Sequence, residues 1–263
     1  MADKSEIQSK SELEEKINEF GLPVLLKTRR DAYDGRGNFK INSSEQISDG
    51  LKIFEGKSLM VEEFIDFKME VSVIAARSTT GEIQTYPVVE NIHEDNILRM
   101  TIAPARISDE VSKKAEEIAH KTMEVLHGAG VFGIEMFVTN DDQLLINEIA
   151  PRVHNSGHHT LQSSKTSQFE QHLRAILGME LGSTELLHST IMYNILGPEG
   201  FTGKYKKPSL AIMNSFLKMY GKLESKPKRK IGHVNLVDAD NLGMENLLQK
   251  LTDLKKNIMI EPE

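Results

Sequence analysis

The chain has 263 residues, 39% hydrophobic and 27% charged, which supports one large folded domain or two modest ones with a real core. A net charge of −7 argues against broad, sequence-independent binding to nucleic acid, yet leaves room for a local basic pocket around a phosphorylated small molecule. With no cysteine, disulfides, zinc–thiolate sites and a cysteine nucleophile are excluded, and with no apolar run near ~20 residues a membrane-spanning helix is not expected.

The opening MADKSEIQSK lacks the apolar core of a signal peptide, so a cytoplasmic location is the expectation. Residues 5–20 read as one amphipathic helix with Leu13, Ile17 and Phe20 on a side, stopped by Gly21. LPVLLK (22–27) reads as a buried strand, TRRDAYDGRGN as a charged loop with two glycines, FKI as extended, and 44–54 as a short helix. Strands follow at 58–65, 69–78 and 82–92, the last two joined by a hairpin turn at TTG, and 97–107 is extended. Ser108 is a plausible N-cap for a helix over 109–127, with Val111, Ala115, Ile118 and Ala119 at helical spacing. A strand–turn–strand unit, VFGIEMFVTNDDQLLINEIA (131–150), precedes a helix over 168–177 whose apolar face is Phe169, Leu173, Ile176 and Leu177. STIMYNIL, LAIMNSF and HVNLV read as strands, and a last helix lies near 244–254. The fold class is α+β with mainly antiparallel pairing.

With Asp141 and Asp142 as the two central turn residues, Glu135 faces Glu148 across the hairpin, their Cβ atoms ~4.5–5.5 Å apart on one face. Like charges so placed destabilise a sheet, the more so in its interior. Three resolutions stand open. A divalent cation sits between them, and two oxygen ligands with room for water and phosphate suit Mg²⁺. Alternatively, both carboxylates face solvent on a one-sided sheet, or an arginine pairs them. Arg152, His154 and Asn155 emerge just past Glu148, a set of cations and amide donors suited to an oxyanion such as phosphate or bicarbonate.

The motifs NEIAPRVHNSGHHT, AYDGRGN, VFGIEMF, TSQFEQHLRAI and ENIHEDNILRMTIAPAR together resemble the N5-carboxyaminoimidazole ribonucleotide synthetases, a purine-biosynthesis family of the ATP-grasp superfamily. The resemblance runs from about Gly21 to Leu236. It implies an ATP-grasp fold: a small subdomain over 1–66, a large one over 67–182 with the Mg²⁺ and ATP site, and a C-terminal β-rich segment over 183–263. It implies a ligase that uses ATP to phosphorylate bicarbonate to carboxyphosphate, and then carboxylates the exocyclic amine of 5-aminoimidazole ribonucleotide.

Residue roles come with the resemblance. Lys27 matches a lysine that contacts ATP phosphates; by pattern alone it is a strand-edge or snorkelling lysine. Asp34, Gly35 and Gly37 match a loop closing over the triphosphate, otherwise an ordinary turn. Tyr33 and Arg36 match loop residues that reach the aminoimidazole ribonucleotide. Glu62 would accept from the adenine amine, with backbone groups at Phe64 and Ile65, Glu70 would bind ribose hydroxyls, and Asn147 joins the nucleotide set. Glu135 and Glu148 match Mg²⁺ ligands. Arg152 and His154 match groups near bicarbonate and nucleotide, His154 as a proton acceptor, and Asn155 would orient substrate. Lys222 and Arg229 match basic residues that grip the ribonucleotide phosphate, while Lys226 and Lys228 read as a solvated run.

Two departures from the broader pattern stand out. Ala150 occupies a position where many ATP-grasp enzymes carry an asparagine ligand. The family also normally begins with a Rossmann-like domain ahead of the segment at 5–20, which supplies part of the acceptor pocket. The readings to separate are therefore an active ligase (with a homodimer expected from the family), an ATP-binding module that needs a partner chain carrying that domain, and a sibling ligase with another acceptor.

Overall fold

Ser9 divides what the sequence pattern presents as one helix. The computed structural model, which describes residues 3–30 and 37–263, has a strand β1 (Lys4–Ile7) before helix α1 (Lys10–Phe20). Ser9 Oγ accepts from the Glu12 N–H at 3.2 Å, and the Glu12 carboxylate accepts from the Gln8 N–H at 2.9 Å. This reciprocal capping starts the helix at residue 10 and leaves 4–7 free to pair in a sheet. Gly21, at φ 80°, ends the helix by donating its N–H to Ile17 O.

Strands β1, β2 (Val24–Thr28), β3 (Asn38–Ile41) and β4 (Leu59–Glu63) form an antiparallel sheet in the order β1-β4-β2-β3. Alternation sends Val24, Leu26, Ile41 and Val61 into a core with Leu13 and Ile17 of α1 and Ile47 of α2 (Ile47–Ile53). The other face carries Leu25, Lys27, Lys40 and Glu62, and it borders a cleft.

The second sheet contains β5 (Phe67–Arg77), β6 (Ile83–Thr85), β7 (Val89–Glu94), β8 (Ile97–Ala103), β9 (Gly130–Thr139), β10 (Leu144–Ala150), β11 (Thr190–Leu196), β12 (Ser215–Met219) and β13 (Lys230–Val237). Its order is β10-β9-β5-β7-β8-β11-β13-β12, with β6 beside β5. The stretch 82–92 is two strands, broken around Pro87, which has no N–H to give to a ladder. Strand β12 begins later than LAIMNSF suggests, because Asn214, at φ 58°, turns the chain just before it, and β13 begins at Lys230, ahead of HVNLV. Strands β11 to β13 join the large sheet through β11–β8 pairing, so the C-terminal segment shares that sheet.

Helix α3 (Asp109–Leu126), capped by Ser108, buries Val111, Ala115, Ala119 and Met123 against Val71, Val73, Ile134 and Met136. Helix α6 (Met244–Asn257) does the same with Leu247, Leu251 and Leu254 over the C-terminal strands. Two more helices, α4 (Thr160–Ser163) and α5 (Gln168–Ile176), follow β10. Helix α5 overturns the apolar-face expectation. Leu173 and Leu177 are exposed, and the buried positions are Gln168, Gln171 and Ala175. The two glutamines go inward because main-chain groups satisfy their amides: Gln171 bonds both the N–H and C=O of Gly182, and Gln168 those of His154. No helix among the described residues is long and apolar enough to cross a membrane.

One buried charge is held by geometry alone. Glu90 in β7 is 4% exposed and takes a two-pronged contact from Arg106, at 2.8 Å from Nε and 2.6 Å from Nη2. Arg106→Ala leaves that carboxylate without its partner and should cost about 3 kcal/mol in urea unfolding. An unchanged unfolding midpoint would show that solvent replaces the guanidinium without loss.

Candidate functional site

The hairpin β9–β10 places the acidic pair by a route the sequence pattern does not give. The loop holds three residues, with Thr139 N–H donating to Gln143 O at 2.9 Å and Asp142 at φ 63°. Pairing then runs Leu144–Val138, Leu145–Phe137 and Ile146–Met136, one position out of the expected register. A bulge at Asn147 absorbs one residue, and pairing resumes as Glu148–Glu135 and Ile149–Ile134. The two departures cancel, so the carboxylates do face each other. The bulge also lets Ile146 and Ile149, three apart, both pack against the core under α3, which simple alternation forbids.

The pair opens on a cleft of about 990 Å³ between the two sheets. From the small sheet come Lys27, Lys40 and Glu62; from the segment joining the sheets, Phe64 and Ile65; from the large sheet, Glu70, Glu135, Asn147 and Glu148; and from the turn after β10, Arg152, His154 and Asn155. Phe67 and Phe137 stack on its floor, with centroids 4.3 Å apart and planes 9° apart. Lys40 Nζ sits over the Phe64 ring at 3.5 Å.

Glu135 is the strained member. Burial lifts its carboxyl to about 7, His93 opposes the shift, and the negative charges of Glu148 and Glu70 add to it. Burial lowers the His93 imidazole, but its hydrogen bond to Glu70 and the charges of Glu70 and Glu135 outweigh that, so the net shift is upward. His93 Nδ1 is 3.1 Å from Glu70 Oε2. Glu148, on the edge strand, is exposed.

His154 is buried, and its ring lies directly on Gly133 of β9: a Cβ built there would be 2.5 Å from His154 Cγ. Its Nδ1 meets Ser156 Oγ at 2.9 Å, and Nε2 lies 3.5 Å from Glu135 Oε1. Ser156 also accepts from Ser72 at 2.8 Å, which accepts from Asn91 at 2.9 Å, so a buried polar chain holds the imidazole. Burial, then the charges of Arg152, Lys230 and His93, push His154 down to about 4, so it is neutral at pH 7. Asn155 exchanges hydrogen bonds with buried Asn194, at 3.1 and 2.6 Å. Arg152 is exposed and donates to Val153 O at 3.1 Å.

The remaining expected residues divide. Lys27 pairs directly with Glu62, which ties together two groups expected to serve opposite ends of a nucleotide. Gly37, at φ 115°, accepts from the Thr28 N–H through its carbonyl. Tyr33, Asp34, Gly35 and Arg36 lie outside the described residues. Lys222 and Arg229 do not line the cleft, whereas their neighbours Tyr220 and Lys230 do. Arg229 Nη1 donates to Glu224 O at 3.3 Å. Lys230 hides in KPKRK, which reads as a solvated run, and the meeting of His93 with Glu70 depends on the β5–β7 register, in which Glu70 lies opposite Asn91.

The donor set fits a magnesium ion that shares its coordination with a nucleotide. Among the described residues no three His, Asp or Glu side chains gather closely enough to hold an ion alone. Glu135 and Glu148 could supply two oxygen ligands; burial is the main cause of the upward shift of Glu135, and the charges of Glu148 and Glu70 add a repulsion that a divalent cation would relieve.

Residues 1–169 match the ATP-grasp domain family, and residues 190–248 match the phosphoribosylaminoimidazole carboxylase C-terminal domain. The chain is similar to the N5-carboxyaminoimidazole ribonucleotide synthase of Bacillus subtilis strain 168, with 44% identity over 231 residues, 88% of this chain and 60% of that protein. It is also similar to the crystal structure of N5-carboxyaminoimidazole ribonucleotide synthetase from Thermotoga maritima: 42% identity, TM-score 0.87, covering 100% of this chain and 68% of the other. The Aspergillus clavatus synthase in complex with ADP and 5-aminoimidazole ribonucleotide gives 35% identity and TM-score 0.87, covering 97% and 68%. The chain spans between 42% and 66% of the length of the curated relatives it matches.

Proposed function

From the finding that the chain belongs to the ATP-grasp family, and within it to the N5-carboxyaminoimidazole ribonucleotide synthetases, we propose that it carries ATP-dependent carboxylation of 5-aminoimidazole ribonucleotide in purine biosynthesis. The observation that carries this reading is the opposed pair Glu135–Glu148, set in one cleft with a neutral His154 and the cations Arg152 and Lys230.

Adenine takes the slot beside Glu62, Phe64 and Ile65, above the stacked Phe67 and Phe137. Glu70 faces the ribose hydroxyls. Lys27 and Lys40 meet the phosphates, a task for which Lys27 exchanges Glu62 for the ligand. Asn147, turned outward by the bulge, adds an amide beside them. Mg²⁺, held by Glu135 and Glu148, supplies charge neutralisation on the phosphates when bound.

A bicarbonate oxygen attacks the γ-phosphorus, ADP leaves and carboxyphosphate forms. Arg152 and Lys230 hold the anion in place. The exocyclic amine then attacks the carboxyl carbon, and phosphate departs with the electrons of the broken C–O bond. The nitrogen sheds a proton. His154 is placed to take it at Nε2: Ser156 Oγ has two lone pairs and can accept the Nδ1–H of that tautomer alongside the Ser72 hydroxyl. Lys222 and Arg229, flanking Tyr220 and Lys230, serve the ribonucleotide phosphate at the rim.

The test is phosphate release. It should require ATP, Mg²⁺, bicarbonate and aminoimidazole ribonucleotide together. ATP binding in calorimetry without acceptor-stimulated release would favour a nucleotide-binding module that works with a partner chain. Stimulation by glycinamide ribonucleotide plus formate instead would assign another acceptor.

A further inference from the structure

A fully buried amide behind the cleft residues His154 and His158 has its orientation fixed by the main chain. Gln168, the first residue of α5, is 0% exposed. Its Oε1 accepts from the His154 N–H at 2.9 Å, and its Nε2 donates to His154 O at 2.7 Å. A backbone N–H only donates and a carbonyl only accepts, so the amide cannot be turned round. Nε2 therefore also faces His158 Nδ1, at 3.0 Å. A ring nitrogen that receives an N–H carries no hydrogen of its own, so the hydrogen of a neutral His158 sits on Nε2.

The ring has little freedom to escape this arrangement. Phe169, Tyr220 and His233 surround it, with centroids 5.4, 6.0 and 5.0 Å away, and its carbonyl accepts from Asn235 Nδ2 at 3.0 Å. Gly157 is needed for the approach, since a Cβ there would be 2.6 Å from Gln168 Cδ. His158 lines the cleft together with Asn155, Lys230 and its ring neighbour Tyr220. Burial first, and then neighbouring histidines and Lys230, push its imidazole down to about 3, so it does not become a cation at working pH.

We propose that Gln168 is a positioning residue that locks His158 as a neutral Nε2–H donor, and that this donor selects an acceptor molecule with an unprotonated heteroaromatic nitrogen. The selection rests on the carboxylation reading above and deepens it. An aminoimidazole attacks through its exocyclic nitrogen, whose electrons are enriched by the neutral ring. Protonating the ring nitrogen would withdraw them. A fixed donor that cannot itself accept at that position admits the neutral ring and disfavours the imidazolium, which would place two hydrogens face to face.

Two measurements test this. The first is nitrogen NMR of the protein labelled at histidine, with no ligand present: His158 should show hydrogen on Nε2 in wild type. In Gln168→Glu, where a carboxylate oxygen can replace the donor, the hydrogen should move to Nδ1. The second is calorimetric binding of aminoimidazole ribonucleotide in the presence of ADP. Gln168→Glu and His158→Phe should each weaken it about tenfold, while His158→Gln, which keeps an N–H donor, recovers most of the loss and ADP affinity stays unchanged in all three. A wild-type His158 with hydrogen on Nδ1, or equal binding by His158→Phe, overturns the proposal. Wild-type protein that gives the expected NMR result but binds no aminoimidazole ribonucleotide overturns the acceptor assignment and leaves the tautomer lock standing. The ring-preserving His158→Phe keeps the test decisive if Gln168→Glu does not fold.

Discussion

Glu135→Gln protein, stripped of Mg²⁺, should resist denaturant better than wild type at pH 8 and yet lose ATP turnover by at least about a thousandfold. The stability half follows from the folded-state carboxyl at about 7, above the 4.5 of an ordinary glutamate. A carboxyl raised in this way stabilises the fold fully below about 4.5, and the contribution is lost as pH rises through about 7. Wild type without metal should therefore lose on the order of 2–3 kcal/mol across that window, and Glu135→Gln should not. Adding Mg²⁺ and ATP should restore the wild type and do little for the variant. The catalytic half follows from removing one of the two proposed protein ligands to the ion, for which several kcal/mol of transition-state stabilisation is at stake. Glu148→Gln should lose turnover similarly with a smaller stability gain, because Glu148 is exposed. Urea unfolding across pH 4 to 9, beside steady-state turnover, reads both halves. A variant less stable than wild type at pH 8 would contradict the account of Glu135 as a buried carboxyl crowded by like charges.

Gly133→Ala should fold and bind ATP but lose acceptor-dependent turnover by about a hundredfold or more. The backbone at Gly133 needs no special φ; what it needs is space. Gly133 pairs with Ala150 of β10 and Ile74 of β5, deep in the sheet, and an added methyl would lie 2.5 Å from His154 Cγ and 2.6 Å from His154 Cβ. The sheet on both sides cannot shift, so the imidazole must, and with it the contacts to Ser156 and Glu135. The loss should fall on kcat, with the ATP dissociation constant within about twofold of wild type, since the proposed nucleotide slot lies along Phe67 and Phe137. Unchanged turnover would show that His154 is not at the reacting centre.

These two glycine and glutamate positions also mark how far the sequence could be read. VFGIEMF is apolar on both faces apart from Glu135, and the meeting of Glu135 with Glu148 was legible from the turn at Asp141 and Asp142. The register that produces the meeting was not. A three-residue loop and a bulge at Asn147 compensate, and the only trace of the bulge is the odd spacing of Ile146 and Ile149. The role of Gly133 as a floor for His154 joins residues 21 apart through a hairpin and a turn, so no local pattern carries it. Helix α5 conceals its buried face for a related reason. An apolar stripe at helical spacing suggests a buried face, yet Gln168 and Gln171 are the buried residues, because the main chain of His154 and of Gly182 waits for them. Similarly, Ser9 and Glu12 hold a capping signature that ends the first strand, and the apolar spacing of Leu13, Ile17 and Phe20 drew the helix too far forward. What remained visible throughout was chemistry concentrated at strand ends: Arg152, His154 and Asn155 past β10 were recognisable because few folds place such groups after an apolar strand without a ligand.

Anomalous diffraction from crystals of the chain grown with ADP and Mn²⁺, a close stand-in for Mg²⁺, tests the central claim most directly. The ion should appear between the carboxylates of Glu135 and Glu148, with a phosphate oxygen of ADP completing its shell and the adenine beside Glu62 and Ile65. Manganese bound elsewhere in the cleft, or a guanidinium bridging the two carboxylates with no ion between them, would contradict it.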